Sequence, residues 1–364
     1  MSRRLDVTWP TGRDALGHAD LIGHDGRLAP PRSAGYGRRT EDIPPERGSR
    51  LYPSSFDYFS PDTLEEALEL LDRFGEEGKV LAGGQSLIPL MKLRFASPRA
   101  VVDINRLPGL DGLSEQDGGL RIGALVRHRE CERAPRLRGR FGALADAAPL
   151  VSDPIVRNLG TVAGSLAHAD PQGDWGSVML AAAAEVRVRS SGGVRTIAIE
   201  DLLEGPLTTT LQDNEVIEEI RIPDPGPKAG GTYLKLERRV GDFATVGVAV
   251  QLSFDGDTVS RAGIGLTGVA PINRRAAAAE RALAGAQLTE EAIREAGRLA
   301  AGAAEPHDDL RGSAEYKRNV VRVFVERGLR AAAKAATEAA PEQGTFVGHD
   351  TVEGVMDEIR KKQE

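Results

Sequence analysis

Two glycine-centred segments, Ala82-Gly83-Gly84-Gln85-Ser86 and Thr161-Val162-Ala163-Gly164-Ser165, each follow an apolar stretch. Both combine residues lacking bulky side chains, which let backbone N–H groups approach an anion, with a hydroxyl that donates one more hydrogen bond. Together they predict a two-sided cradle for a pyrophosphate-bearing cofactor such as a dinucleotide. A Gly-Gly pair by itself carries no weight. With 42 glycines in 364 residues, about five such pairs arise by chance, and four occur, starting at 83, 118, 192 and 230. The setting is what matters: Lys79-Val80-Leu81 reads as a short strand, and the apolar run from Leu87 to Leu93 reads as a helix that Ser86 caps. Strand, glycine loop and helix follow one another. The spacing is neither Gly-x-Gly-x-x-Gly nor Gly-x-x-x-x-Gly-Lys-Ser/Thr, so the ordinary dinucleotide and P-loop fingerprints do not account for it.

Composition narrows the function classes. At 364 residues with 40% hydrophobic content, the chain is expected to be a globular protein of two or three domains. No apolar run approaches the roughly twenty residues of a membrane span, and the N-terminus lacks a signal-peptide core, so a cytoplasmic location is expected. A net charge of −7 without a basic, aromatic-rich face argues against nucleic acid as a partner. The single cysteine, Cys131, excludes an internal disulfide and falls short of the four thiolates that an iron–sulfur cluster typically takes. Any such cluster is expected on another chain. The six histidines form neither His-x-His nor His-Glu-x-x-His, so no zinc site is expected. Cys131 follows Arg129-Glu130 without a paired His and reads as a structural thiol.

Residues 1–53 are rich in Gly, Pro, Arg and His without a sustained period and read as a flexible extension. Thr63-Leu-Glu-Glu66 reads as a capping box, and Leu64, Ala67, Leu68 and Leu71 form an apolar stripe ending at Gly75. With strands at Val80 and at Ala100-Val-Val-Asp-Ile104, residues 54–113 are expected to form a small β-α-β subdomain containing the first glycine loop. Residues 114–225 mix short strands (Leu120-Arg-Ile122, Glu185-Val-Arg-Val188, Glu219-Ile-Arg-Ile222) with helices at Arg138 to Ala148 and Ser177 to Ala184. Pro223-Asp-Pro-Gly-Pro227 marks a boundary. Residues 229–336 open with strands at Thr232 to Glu237, Val246 to Phe254 and Thr258 to Val269, the last two separated by the hairpin signal Asp255-Gly256. Ala-rich helices follow. The expected fold class is α+β, ending in a three-stranded antiparallel sheet covered by helices. In the tail, 337–364, Asp350-Thr-Val-Glu353 starts a short helix on which Val352, Val355, Met356 and Ile359 form one apolar stripe, expected to dock on a partner chain.

Four segments carry a resemblance: Leu81-Ala-Gly-Gly-Gln-Ser-Leu-Ile-Pro-Leu-Met-Lys-Leu-Arg94, Val102-Asp-Ile104, Gly160-Thr-Val-Ala-Gly-Ser-Leu-Ala-His-Ala-Asp-Pro171 and Tyr233-Leu-Lys-Leu-Glu-Arg-Arg-Val-Gly-Asp-Phe243. In this order the chain resembles the FAD-binding medium subunits of molybdenum hydroxylases, nearest to the carbon monoxide dehydrogenase flavoprotein type. The resemblance implies a two-part FAD-binding domain of PCMH type. Ala82, Gly83, Gly84, Gln85, Ser86 and Leu87 would bind the FAD pyrophosphate, and Thr161, Val162, Ala163, Gly164 and Ser165 would close over it, with Val162 against the flavin. Asp174 would hydrogen-bond the cofactor, Leu211 would make an apolar contact, and Lys235 and Phe243 would lie near the isoalloxazine ring. It also implies partners: a large molybdenum–pterin subunit that oxidises the substrate and a small subunit whose two [2Fe–2S] clusters relay electrons to this flavin, assembled as a dimer of heterotrimers. NAD, a quinone or oxygen would then accept the electrons.

The chain departs from that pattern at three places. Position 85, often His, is Gln. Ala163 replaces the first Gly of Thr-Ile-Gly-Gly-Ser, which adds a methyl where positive φ is expected to be needed. Position 243, often Tyr, is Phe, which keeps the stacking surface and loses a hydroxyl. No metal cluster, His-based nucleophile or spaced carboxylate pair marks this chain as the site of C–H activation, so it is expected to carry electrons rather than start the chemistry. A stand-alone FAD-dependent oxidoreductase and an adaptor that has lost FAD are the alternatives.

Overall fold

The computed structural model describes residues 52–338 together with the two-residue strand Leu5–Asp6. The first sheet has the order β1-β2-β4-β3, where β1 is Leu5–Asp6, β2 Asp57–Phe59, β3 Gly78–Leu81 and β4 Ala100–Asp103. Strands β2, β4 and β3 run parallel, which requires a crossover on each return. Helix α1 (Leu64–Phe74) provides the first and α2 (Leu87–Lys92) lies in the second. Two residues of the N-terminal extension therefore pair, Leu5 with Tyr58 and Asp6 with Asp57, along the outer edge of β2.

Helix α1 forms where its capping residues demand it. The Glu66 N–H donates to Thr63 Oγ1 at 3.2 Å, and Ala67, Leu68 and Leu71 of the apolar stripe are buried. The reciprocal half of the box is displaced by one residue, since Glu66 Oε2 accepts from the Asp62 N–H at 3.1 Å. Gly75, with φ of 48°, ends the helix.

The second sheet is antiparallel, in the order β5-β6-β11-β7-β8. Its hairpin β5 (Leu113–Gln116) and β6 (Gly119–Gly123) is followed by five short helices: α3 (His128–Arg133), α4 (Gly142–Ala147), α5 (Pro154–Leu159), α6 (Val162–His168) and α7 (Asp174–Ala182). Then come β7 (Glu185–Ser190), β8 (Gly193–Ala198), α8 (Ile199–Leu202), the ribbon β9 (Leu203–Gly205) and β10 (Thr208–Thr209), and β11 (Val216–Ile222). The helix expected over Arg138 to Ala148 is confined to Gly142–Ala147, because Gly139 has φ of 74°. The one expected from Ser177 begins earlier, at Asp174, and stops where Ala183 turns left-handed.

The third sheet consists of β12 (Ala229–Leu236), β13 (Val246–Asp255), β14 (Thr258–Thr267) and β15 (Arg274–Arg275), paired antiparallel in chain order. It has the three expected long strands plus a two-residue edge strand. Helices α9 (Ala277–Leu283), α10 (Glu290–Ala303) and α11 (Ala314–Thr337) complete the chain. The period-2 alternation of strands sorts residues between two cores. Tyr233 and Ala249 join the core of the preceding domain, whereas Val246, Val248 and Val250 join the core under α10 and α11. On β14 the approach is closer still: a Cβ on Gly263 would lie 1.9 Å from the Ala181 oxygen, and one on Gly265 2.0 Å from the Ser177 oxygen. Helix α7 thus rests on β14 backbone to backbone. The predicted tail helix lies outside the described residues.

The pivot of this packing is Trp175, fully buried on α7, whose indole N–H donates to His128 Nδ1 at 3.0 Å. That bond requires a lone pair on Nδ1, hence a neutral imidazole in this tautomer. Burial, with help from the cations Arg127 and Arg157, pushes the His128 pKa down to about 4. The unfolded chain protonates near 6.5, so its stabilising contribution is complete above pH 6.5 and is lost as pH falls toward 4, a change of about 3 kcal/mol. Thermal unfolding followed from pH 7 to 4.5 should show this decline. In His128→Gln, which keeps an acceptor for Trp175 and cannot titrate, the decline should be shallower; an identical slope would contradict the assignment.

Candidate functional site

Strand β3 delivers the chain into the first glycine loop and α2 carries it away. Between them, none of the backbone N–H groups of Gly83, Gly84, Gln85, Ser86 and Leu87 has an acceptor among the described residues. Five successive donors without acceptors form an anion-binding concavity of the kind that phosphate oxygens satisfy. Gly84 has φ of 69°, and a Cβ there would stand 2.8 Å from Ile88 Cδ1. Gln85 turns back on its own loop, its Nε2 donating to the Gly83 oxygen at 3.0 Å. Ser86 occupies the N-cap position of α2 but its hydroxyl makes no capping bond. The expected cap is replaced by the Ile88 N–H donating to the Gly84 oxygen at 3.1 Å.

The second segment is not a loop. Thr161 is the N-cap of α6, its hydroxyl accepting from the Gly164 N–H at 3.0 Å, and Val162, Ala163 and Gly164 form the first turn. Ala163 is therefore helical and buried, and the positive φ expected of it does not arise. The added methyl is accommodated in the core. The N–H of Val162 donates to the Val126 oxygen, and that of Ser165 to the Thr161 oxygen. This leaves the Ala163 N–H of that turn without an acceptor among the described residues. It sits at the positive end of the helix dipole.

The two segments meet at Gly83. A Cβ on it would lie 2.4 Å from the Leu159 oxygen and 2.7 Å from Gly160 Cα, directly before Thr161. A side-chain network secures the contact. The Arg127 guanidinium donates to the Leu159 oxygen and, at 2.6 Å, to Asn105 Oδ1. Asn105 Nδ2 donates to the Ala82 oxygen at 2.8 Å and to Asp103 Oδ1 at 2.6 Å. Tyr58 donates to Asp103 Oδ2 at 2.5 Å, and burial followed by this carboxylate pushes its pKa up to about 12. One guanidinium and one amide thus tie both segments to the end of β4.

Asp174 lies one residue past Gly173, where a Cβ would stand 3.9 Å from Ser165 Oγ. Its carboxylate is buried and both oxygens are engaged: Tyr233 donates to Oδ1 at 2.7 Å and Lys235 Nζ to Oδ2 at 3.1 Å. Burial pushes the Asp174 pKa up, opposed by Lys235 and Tyr233. Lys235 also donates to the Leu150 oxygen at 2.8 Å and lies 3.4 Å from Glu237. Asp170 holds a turn, accepting from the Gln172 N–H at 2.9 Å. Leu211 is partly buried against the main core, and Phe243 is half exposed in the β12–β13 connection. Cys131 is buried and its thiol is pushed up to about 12 by that burial.

Residues 54–225 match the family described as the FAD binding domain in molybdopterin dehydrogenase, and residues 231–332 match the CO dehydrogenase flavoprotein C-terminal domain. The carbon monoxide dehydrogenase medium chain of Hydrogenophaga pseudoflava is 40% identical over 282 residues, covering 78% of this chain and 98% of that one. The nicotine 6-hydroxylase medium subunit of Paenarthrobacter nicotinovorans is 37% identical over 272 residues, covering 75% of this chain and 95% of the relative. The chain belongs to the FAD-binding medium subunits of the molybdenum hydroxylases. A solved carbon monoxide dehydrogenase from Hydrogenophaga pseudoflava, which lacks the Mo-pyranopterin moiety of its cofactor, contains a chain that superposes with a TM-score of 0.75 at 42% identity, covering 78% of this chain and 99% of its own. Quinoline 2-oxidoreductase from Pseudomonas putida 86 gives 0.73 at 30%, over 79% of this chain and 100% of its own.

The donor set of this medium subunit fits FAD: five unpaired N–H groups on one segment, a helix N-terminus on the other, and a glycine at the junction where a Cβ would clash. Sequence reading missed Arg127, Asn105 and Tyr58. Their role depends on contacts between residues far apart in the chain, and no spacing announces it. Replacing Gly83 by Ala should force the two segments apart, lowering FAD affinity at least about tenfold and stability by about 1–3 kcal/mol. By contrast, Gly302, on α10 with nothing within 4 Å of its Cβ position, should gain about 0.5–1 kcal/mol on replacement by Ala. Calorimetric titration of FAD and thermal unfolding of both variants check the pair.

Proposed function

We propose that this medium subunit carries FAD as the electron-transfer component of a molybdenum hydroxylase complex. It would receive electrons from [2Fe–2S] clusters of a small partner subunit, after a large molybdenum–pterin subunit oxidises the substrate, and pass them to an external acceptor. The observation that carries the reading is the unpaired run of N–H groups from Gly83 to Leu87, backed by the Gly83 junction. Bound FAD supplies both one-electron and two-electron redox chemistry, which suits it to link single-electron clusters to an acceptor.

The chain's own residues bind and orient. Ala82 to Leu87 hold the pyrophosphate through backbone donors, and Thr161 to Ser165 add the helix N-terminus with its dipole. Gln85 stiffens the first segment and Arg127 locks it to the second. Lys235 and Asp174, both almost withdrawn from solvent, form a fixed pair, with Tyr233 holding the carboxylate in place. Leu211 and Phe243 would supply apolar surface, Phe243 beside the ring. Cys131 is the only thiol in the chain and is buried, so the clusters are assigned to a partner. The assembly we infer is a dimer of heterotrimers. Among the described residues no helix is long and apolar enough to cross a membrane.

The relatives named above carry the names of different substrates, carbon monoxide, nicotine and quinoline, and we assign the choice of substrate to the molybdenum subunit. No His or Cys lies within either segment, and binding should be non-covalent: acid precipitation should release all of the yellow colour into the supernatant. The FAD-loaded chain alone should be bleached by dithionite yet remain oxidised in the presence of the complex's substrate. Bleaching by substrate at the rate of the intact complex would contradict the proposal.

A further inference from the structure

Arg311 stands at a junction of three segments. It belongs to the connection between α10 and α11, and its Nη1 donates to Gln172 Oε1 at 2.6 Å while its Nη2 lies 3.4 Å from Asp242 Oδ1. Gln172 belongs to the turn between α6 and α7, immediately before Gly173 and Asp174. Asp242 belongs to the β12–β13 connection, immediately before Phe243. Both members of the ion pair are largely withdrawn from solvent, at 17% and 10% exposure.

Each arm is braced. The Arg311 N–H donates to Asp309 Oδ1 at 2.8 Å, and Asp309 pairs at 2.8 Å with Lys317, a lysine buried on α11 whose Nζ also donates to the His307 oxygen. On the other arm, Asp242 accepts from its own neighbour, the Phe243 N–H, at 2.8 Å, and from Arg238 Nε at 3.1 Å. The β12–β13 connection also lies against Ser152, whose oxygen would be 3.2 Å from a Cβ on Gly241. At its tip the side chains face solvent, with Val240 at 96% exposure, while Ala244 and Thr245, leading into β13, are buried. The guanidinium is thus the main link between this connection and the α6–α7 turn.

We propose that Arg311 is a positioning residue that clamps the β12–β13 connection, and with it Phe243, against the α6–α7 turn, and so retains the cofactor. The inference rests on the reading that FAD lies beside Phe243. A planar fork reaches two acceptors at once, which an ammonium on a flexible stem does less well, so Lys at 311 is expected to restore only part of the effect.

The test uses the full-length, FAD-loaded chain under limiting trypsin, which cuts after Arg238 and Arg239 within the connection. Local opening exposes those bonds in proportion to its population, and Arg311→Ala should raise cleavage there about tenfold. FAD release into excess apoprotein acceptor should quicken several-fold in the same variant, with Arg311→Lys intermediate. Gln172→Leu, which removes only the acceptor on the turn, should also quicken release and serves if the alanine variant does not fold. Unchanged cleavage in Arg311→Ala would overturn the clamp. Faster cleavage with unchanged FAD release would overturn its link to the cofactor. A wild-type chain without bound FAD would instead overturn the reading on which the inference rests.

Discussion

Everything at the cofactor end of this subunit depends on one backbone contact, the seating of Gly83 against Leu159 and Gly160. Any side chain would force the two segments to shift, because a Cβ would stand 2.4 Å from the Leu159 oxygen. The contact brings a run of unpaired N–H groups beside the parallel sheet next to the N-terminus of a helix that follows the antiparallel β5–β6 hairpin. Neither half alone is a complete site. The side chains around the junction, Tyr58, Asp103, Asn105 and Arg127, act on the protein rather than on the ligand: they satisfy the backbone oxygens of Ala82 and Leu159 and hold the two halves at a fixed distance.

The rigidity of that junction is inherited from packing below it. His128 extends the network inward through Trp175, which anchors α7, and α7 lies flush on β14 because Gly263 and Gly265 present bare backbone to it. At these two glycines the C-terminal sheet meets the domain before it backbone to backbone, while Tyr233 and Ala249 of the same sheet pack into that domain's core. Buried charge at this seam is organised accordingly. Asp174 and Lys235 are paired and hydrogen-bonded from three sides, which is the condition under which a buried ion pair is tolerated. Removing either partner would strand a charge in the interior, a far larger cost than losing an exposed pair.

Much of this was legible in the sequence. The strand, glycine segment and helix around Gly83, the three long C-terminal strands and the Asp255-Gly256 hairpin all follow from period and turn chemistry, which are local. What was not legible is where local signals mislead or fall silent. Thr161-Val162-Ala163-Gly164-Ser165 resembles a loop because of its glycine, yet Thr161 is an N-cap and the glycine keeps room for the cap's hydroxyl at the third helical position. Ala163, a departure that suggested backbone strain, is an ordinary helical residue. Gly84 is set by its positive φ, and Gly83 by a contact with a segment remote in the chain. Arg127 and Arg311 look like any surface arginine in sequence, since their importance lies wholly in what tertiary structure brings to them.

The central claim is that a two-segment backbone cradle recognises the pyrophosphate of FAD rather than the flavin ring alone. The most direct measurement is calorimetric titration of the flavin-free chain with FAD, FMN and riboflavin under one set of conditions. Charge-assisted hydrogen bonds from several N–H groups to the pyrophosphate predict FAD binding tighter than FMN by about a hundredfold or more, with riboflavin weaker again. Equal affinities for the three would contradict the account, because they would place the binding energy on the ring and leave the cradle idle.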